Sequence, residues 1–291
     1  LDTAVLSRVP AWSLAVAAML SVQTGAALST RLFPAIGPVG TVWLRLTVAA
    51  VFFLALVRPS PRILRDGRWK APVLLGLMTG AMTAFFVLAI DRIPLGTAVA
   101  IEFLGPLGVA VVRSRDRRGL LWPALALIGV VLLTEPWTGA VDPLGILFAA
   151  LAGSGWAGYI LLTQKVGDTF AGVQGLALTM PVAALATAVV GVPQAAGGIT
   201  PAVLAAAIGL AVLLPIIPFT LELLALRRLT TAAFGTLMAL EPGIATLIGA
   251  LVLGQVPGLL PVVGLVLVVA AGVGAERSGH RQPTPVGEGT A

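Results

Sequence analysis

The chain has 291 residues, 58% hydrophobic and only 10% charged, with a mean hydropathy of +1.04. A soluble domain covers its core with about 25% charged residues; 12 acids and 18 bases cannot supply that shell, so lipid must solvate most of the surface. There is no cysteine, and the single histidine, His280, lies in a polar stretch near the C-terminus, which excludes disulfides, thiolate or multi-histidine metal sites and a His-based triad; no cofactor and no metal are implied.

A bilayer core takes about 20 mostly apolar residues per helix. Ten runs qualify, in chain order 10–32, 38–57, 71–90, 95–112, 120–134, 143–162, 172–192, 201–226, 231–253 and 258–274. They are continuously apolar rather than alternating, so they read as helices and not as barrel strands. The first run follows Arg8 and superficially resembles a signal sequence. It is read as a retained span, because its loss would orphan the repeat described below. From Arg277 onward the chain is polar and rich in Pro and Gly, as a disordered tail is.

With a cytoplasmic N-terminus, 15 of the 18 Lys and Arg residues fall on the inner side of these spans, and only Arg31 and Arg92 on the outer side. That asymmetry places both termini in the cytoplasm. The net charge of +6 is therefore a topology signal and not a nucleic-acid footprint. Trp12, Trp69, Trp122 and Trp137 lie near span ends and read as interfacial anchors.

The two halves resemble each other. A shift of 136 residues lays Arg92 on Arg228, Leu104 on Leu240 and Pro106 on Pro242; a shift of 133 lays Pro10 on Pro143, Ser21 on Ser154 and Gly25 on Gly158. Each half holds five spans, an odd number, so the second copy must cross in the opposite sense. The expected fold is all-α integral membrane: ten transmembrane helices as two inverted five-helix repeats, 1–136 and 137–276, with a cytoplasmic tail over 277–291. In transporters so built, the site lies near mid-bilayer between the halves.

The segment Ala89-Ile90-Asp91-Arg92-Ile93-Pro94-Leu95-Gly96, followed by Glu102-Phe103-Leu104-Gly105-Pro106, resembles the EamA family of the drug/metabolite transporter superfamily. So does Leu240-Glu241-Pro242, and Arg31-Leu32-Phe33-Pro34 and Leu44-Arg45-Leu46 add to it. Within that family the chain is most similar to bacterial threonine/homoserine exporters. The resemblance implies ten helices, a central cavity, a small-molecule substrate and export driven by the proton gradient across the inner membrane. Proton coupling and an amino-acid substrate come from the resemblance alone.

Charges inside spans cost about 2.5–3.5 kcal/mol on insertion scales and default to functional hypotheses. Arg45, Glu102, Glu222 and Glu241 qualify. Glu222 lies five residues before Arg227 and can snorkel to the interface. Glu102 and Glu241 lie mid-span in repeat-equivalent helices; they are candidates for substrate and proton coupling, or members of a buried ion pair. A carboxyl group desolvated here, without a cation beside it, is a natural proton carrier. Arg45 either pairs with one of these acids or clamps a substrate carboxylate, which guanidinium geometry matches.

Proline sharpens the pattern. Pro106 cannot donate to the carbonyl of Glu102, nor Pro242 to that of Met238, and these carbonyls align in the repeat. Paired helix breaks mark a transporter site or are plain packing kinks. Pro215 and Pro218 break the eighth span without a counterpart in the third. Ser21, Gln23, Ser154, Trp156 and Tyr159 are candidates to line the cavity, or make helix–helix hydrogen bonds. Gly153-Ser154-Gly155-Trp156-Ala157-Gly158 has the form G-x-G-x-x-G but lies inside an apolar span, so it reads as close packing and not as a dinucleotide site. Gly76 and Gly80 read likewise, as packing within one chain.

The functional alternatives are a transporter of another solute class (drug, nucleotide sugar or lipid precursor) and a non-transporting membrane sensor. An intramembrane enzyme is disfavoured, since no His, Cys or Ser/Lys arrangement supports one. The oligomeric state, monomer or homodimer, is left open by the sequence.

Overall fold

In the computed structural model the described residues are 10–56, 69–113, 121–135, 137, 142–169, 174–218, 221 and 237–278. Glu222, Arg228 and the tail beyond Ser278 lie outside them. Every regular element among the described residues is helical. Five helices are long and apolar enough to cross a membrane, covering 12–36, 38–56, 70–90, 143–162 and 175–195, and five shorter apolar helices accompany them.

The first span is α1 (Ala11–Ser29), a 3-10 turn (Thr30–Leu32) and the short α2 (Phe33–Ile36). It runs four residues beyond its expected end, because Pro34 stands in the first turn of α2, where no N–H is needed. Gly37, at φ 70°, ends it and leads into α3 (Pro38–Leu56). α4 (Lys70–Ile90) is the third span; the fourth divides into α5 (Leu95–Glu102) and α6 (Leu104–Arg113), and α7 (Leu121–Thr134) is the fifth.

α8 (Pro143–Thr169) and α9 (Gln174–Ala195) are the sixth and seventh. The eighth is α10 (Pro201–Ala211), capped by the Thr200 hydroxyl accepting from Val203 N–H, and it passes into a π turn over Val212–Ile216. α11 (Glu241–Leu253) and α12 (Leu259–Ser278) are the last of the described helices.

Most of these helices are apolar all round, as lipid-solvated helices must be. Leu185, Val189, Leu251, Val256 and Leu259 are more than two-thirds exposed, positions water would penalise and acyl chains do not. The inward faces use small residues so that backbones approach closely. A methyl on Gly129 would lie 2.6 Å from the Gly264 carbonyl, joining α7 to α12. Gly76 and Gly80 of α4 meet the backbone of α9, so the GxxxG pair packs within the chain. Gly155 and Gly158 of α8 receive Met82 and Met78 of α4, which is the close-packing reading of the G-x-G-x-x-G pattern.

The helix pairings are α3 with α9, α4 with α8 and α9, α5 with α8 and α11, α7 with α12, α1 with α11 and with the π turn, and α10 with α3. Trp12 and Trp137 are exposed at span ends, as interfacial anchors are; Trp122 instead wedges against Gly274.

Three polar clamps fasten one end of the bundle. Gln194 Oε1 accepts from the N–H groups of Val39 and Gly40 at 3.0 and 3.2 Å, capping α3 from α9. Gln255 Oε1 accepts from Leu95 N–H at 3.0 Å, capping α5. Arg92 donates to Asp142 at 2.9 Å, while the other Asp142 oxygen accepts from Leu144 N–H and opens α8. That hydrogen bond from Arg92 holds the Asp142 carboxyl below its ordinary range.

Candidate functional site

Both spans that carry an acid with a following proline are broken. In the fourth, the regular helix is interrupted at the single residue Phe103, whose backbone stays helical, and Pro106 falls in the first turn of α6. In the ninth, a turn at Ala239 and Leu240 precedes α11, with Pro242 in its first turn. The proline ring removes one donor and crowds the carbonyl four residues earlier; restarting the helix moves the missing N–H to a position that needs none. Under the 136-residue shift, Phe103 corresponds to Ala239.

The acids flank these breaks from opposite sides. Glu102 is the last residue of α5 and Glu241 the first of α11. Both are buried, 9% and 7% exposed, and each lies within electrostatic reach of the other. Glu241 Oε1 accepts from Gln23 Nε2 at 3.0 Å, joining α1 to α11. No hydrogen bond or ion pair to the Glu102 carboxyl occurs among the described residues. The Glu102 carbonyl, left by Pro106, faces Gly153, where a methyl would come within 2.7 Å of it. Trp156, one turn on in α8, sets its ring edge-on to Phe103 with centroids 6.5 Å apart. The break in the fourth span is thus seated against α8, and Trp156 belongs to its wall.

Arg45 is buried on α3, 5% exposed, but it does not pair with either acid. Its Nη1 donates to Ser29 Oγ at 3.5 Å, its Nε has no hydrogen-bond partner among the described residues, and no carboxylate there lies within ion-pairing distance. Ser29 passes its own proton to the Gly25 carbonyl at 2.7 Å. Ser29 and Gln23 stand six residues apart on α1, about 9 Å along the axis. Arg45 and the acids therefore form two stations and not one ion pair.

Ser21 donates to the Leu213 carbonyl at 2.9 Å, next to Leu214, whose backbone (φ −149°, ψ 104°) departs from the helix ahead of Pro215. A hydroxyl on α1 thus satisfies a carbonyl beside the break in the eighth span, and Gly25 gives the Leu214 side chain room. Pro218 is buried where the span resumes as helix. Ser154 is exposed and bonds back to Ala150 within its own helix. Tyr159 packs with Leu75 and Val166 in a separate apolar cluster. Glu102, Glu241 and Gln23 thus lie together, Trp156 packs on the neighbouring Phe103, Arg45 and Ser21 stand at a remove, and Ser154 bonds within its own helix.

Sequence reasoning missed Ser29, the Arg45 partner, since a serine in an apolar helix resembles any small packing residue. A second feature, an apolar groove of about 840 Å³ bordered by Trp122, Leu240, Gly243 and Val266, opens outward between α7, α11 and α12 and presents no charged group. Among the described residues no three His, Cys, Asp or Glu side chains converge as metal ligands would.

The comparisons with known proteins agree with this architecture. The model of the EamA-like transporter family matches residues 143–274. The chain is 36% identical over 270 residues to the threonine/homoserine exporter RhtA of Salmonella typhimurium, covering 91% of each chain. It is 35% identical over 277 residues to the exporter of the same name from Escherichia coli K12, covering 93% of each. One solved crystal structure, 20% identical, superposes with a TM-score of 0.59 over 92% of this chain and 95% of the other, a likeness of fold. On these findings the chain is a membrane transport protein and not an enzyme, and it belongs to the EamA-like transporter family.

Proposed function

We propose that this protein is a ten-helix inner-membrane exporter that moves a small amino acid, threonine or homoserine first among candidates, out of the cell in exchange for protons. The observation that carries the reading is the pair of buried acids at repeat-equivalent helix breaks, in a chain more than one-third identical to threonine/homoserine exporters over nine-tenths of its length. Both termini face the cytoplasm, as the Lys and Arg asymmetry requires.

Two inverted repeats, 1–136 and 137–276, account for the helix pairings. Exchanging each span with the one five places later carries the most extensive helix pairings onto one another. The second–seventh, fourth–ninth and fifth–tenth pairs map onto themselves. The third–sixth pair maps onto the eighth–first, the third–seventh onto the eighth–second, and the fourth–sixth onto the ninth–first. Two similar halves of opposite sense can exchange conformations, so that a chamber between them opens to each side in turn.

Within that chamber, Glu102 has no cation beside it among the described residues, and a second carboxyl is in reach. A substrate ammonium or a proton offsets the negative charge at such a site, and the two compete for it. That competition is antiport. Arg45, a station about two helical turns away along α1, docks the carboxylate of an arriving or departing substrate.

The test is a rescue screen. Cells expressing the protein are challenged with growth-inhibitory threonine, homoserine, other amino acids, a drug panel and nucleotide sugars. Relief confined to amino acids supports the reading. Relief confined to drugs or nucleotide sugars replaces it with the other solute class, and relief of none, with no efflux from loaded vesicles, leaves a sensor.

A further inference from the structure

Gln23 is the most enclosed polar side chain of the site, 2% exposed in the middle of α1. Its amide has one donor end and one acceptor end, and the two cannot turn independently. The donor end is committed: Nε2 gives a proton to Glu241 Oε1 at 3.0 Å. The acceptor end therefore points away from Glu241, and this Oε1 is buried without any hydrogen-bond partner among the described residues. A buried amide oxygen left unpaired costs about 1–3 kcal/mol. Neighbouring elements do not relieve it: α10 and the π turn carry no charged or donor side chain over 201–218, and the Ser21 hydroxyl is spent on Leu213.

The geometry points to Gln23 as the residue that selects for an ammonium group: its Oε1, aimed by the Glu241 carboxylate behind it, is an acceptor for the α-ammonium of an amino-acid substrate. This rests on the amino-acid reading above and assigns one atom of its recognition. Glu241 acts through Gln23 as a positioning residue. A carboxylate accepts and never donates, so it permits only the amide orientation with the oxygen turned away. An alcohol or an acylated amine in place of the ammonium brings no positive charge and a weaker hydrogen bond to that oxygen. Selectivity for free amino acids over their uncharged-nitrogen analogues then follows from one buried amide, not from the shape of the cavity.

The experiment is competition for L-threonine efflux in proteoliposomes of the full-length chain. The competitors are threonine, N-acetyl-threonine and the 2-hydroxy acid that lacks the amine. Gln23→Met keeps the length and apolar stem but has no acceptor oxygen. It is expected to weaken threonine about 10-fold in KM, to leave the two analogues within about 2-fold, and to keep the dependence of efflux on the pH gradient. Glu241→Gln, whose amide can pair with Gln23 in either orientation, is expected to give a smaller selective loss. The double variant should match Gln23→Met alone, because one atom is being affected twice.

Equal weakening of all three ligands by Gln23→Met, or additive effects in the double variant, overturns the assignment. A wild-type protein that transports threonine no better than its N-acetyl form overturns the amino-acid reading itself, a failure visible before any variant is made. If Gln23→Met does not fold, an unchanged threonine preference in Glu241→Gln overturns the positioning role.

Discussion

The fourth and ninth expected spans are interrupted at points that the 136-residue shift lays on each other, yet the acid precedes the interruption in one and follows it in the other. Glu102 is the last residue of α5, and Glu241 the first of α11. Only Glu241 has an amide on α1 donating to it. The packing differs too. The break at Phe103 is sealed against Gly153 of α8, whereas nothing approaches Gly243 on the far side of the other break. On the proposed reading the same backbone device serves two jobs: a carboxylate held by Gln23 at Glu241, and a carboxyl that exchanges its partner at Glu102.

The largest consequence concerns coupling. Glu102→Gln should reduce pH-gradient-driven threonine efflux from vesicles to the level of empty vesicles. Glu241→Gln should keep the gradient dependence while binding substrate more weakly. Equal effects of the two substitutions would erase the distinction between the breaks.

Next comes packing. Gly105→Ala drives a methyl into the Gly153 carbonyl and should cost about 1–3 kcal/mol, read as a fall in thermal stability in detergent. Gly243→Ala, with open space around it, should stay within about 0.5 kcal/mol.

Smaller still is the cap on the fourth span. Gln255→Ala removes the acceptor of Leu95 N–H and should cost about 1 kcal/mol. The smallest effect belongs to Asp142→Asn. Because the Arg92 hydrogen bond depresses the folded-state value of Asp142, its contribution is present above the ordinary carboxylate range and disappears as pH falls through the depressed value. Melting curves of Asp142→Asn and the parent protein should differ slightly at neutral pH and converge in acid.

The five long spans were legible from hydropathy, since lipid leaves continuous apolar runs. Both helix breaks were legible from Pro106 and Pro242, because a missing N–H is a covalent fact. The packing role of Gly153 through Gly158 followed from their place inside an apolar span. The partners of the buried polar groups were not legible. Gln23 and Glu241 are 218 residues apart, and helices that are apolar on every side give no signal of which way they face. For the same reason the choice between an acid and a substrate carboxylate as the partner of Arg45 was open in the sequence, and the side chain is found on Ser29. The clamp from Gln194 comes from the last turn of α9 and that from Gln255 from the loop before α12, and one glutamine reads like another until the helix end it caps is known.

The most direct measurement is proton movement itself, followed with a pH-sensitive dye inside proteoliposomes as threonine is added. The wild-type protein should move protons against threonine, and the Glu102→Gln, Glu241→Gln double variant should move none. Threonine-dependent proton movement undiminished in that variant would mean that the paired acids at the helix breaks are structural and that coupling lies elsewhere.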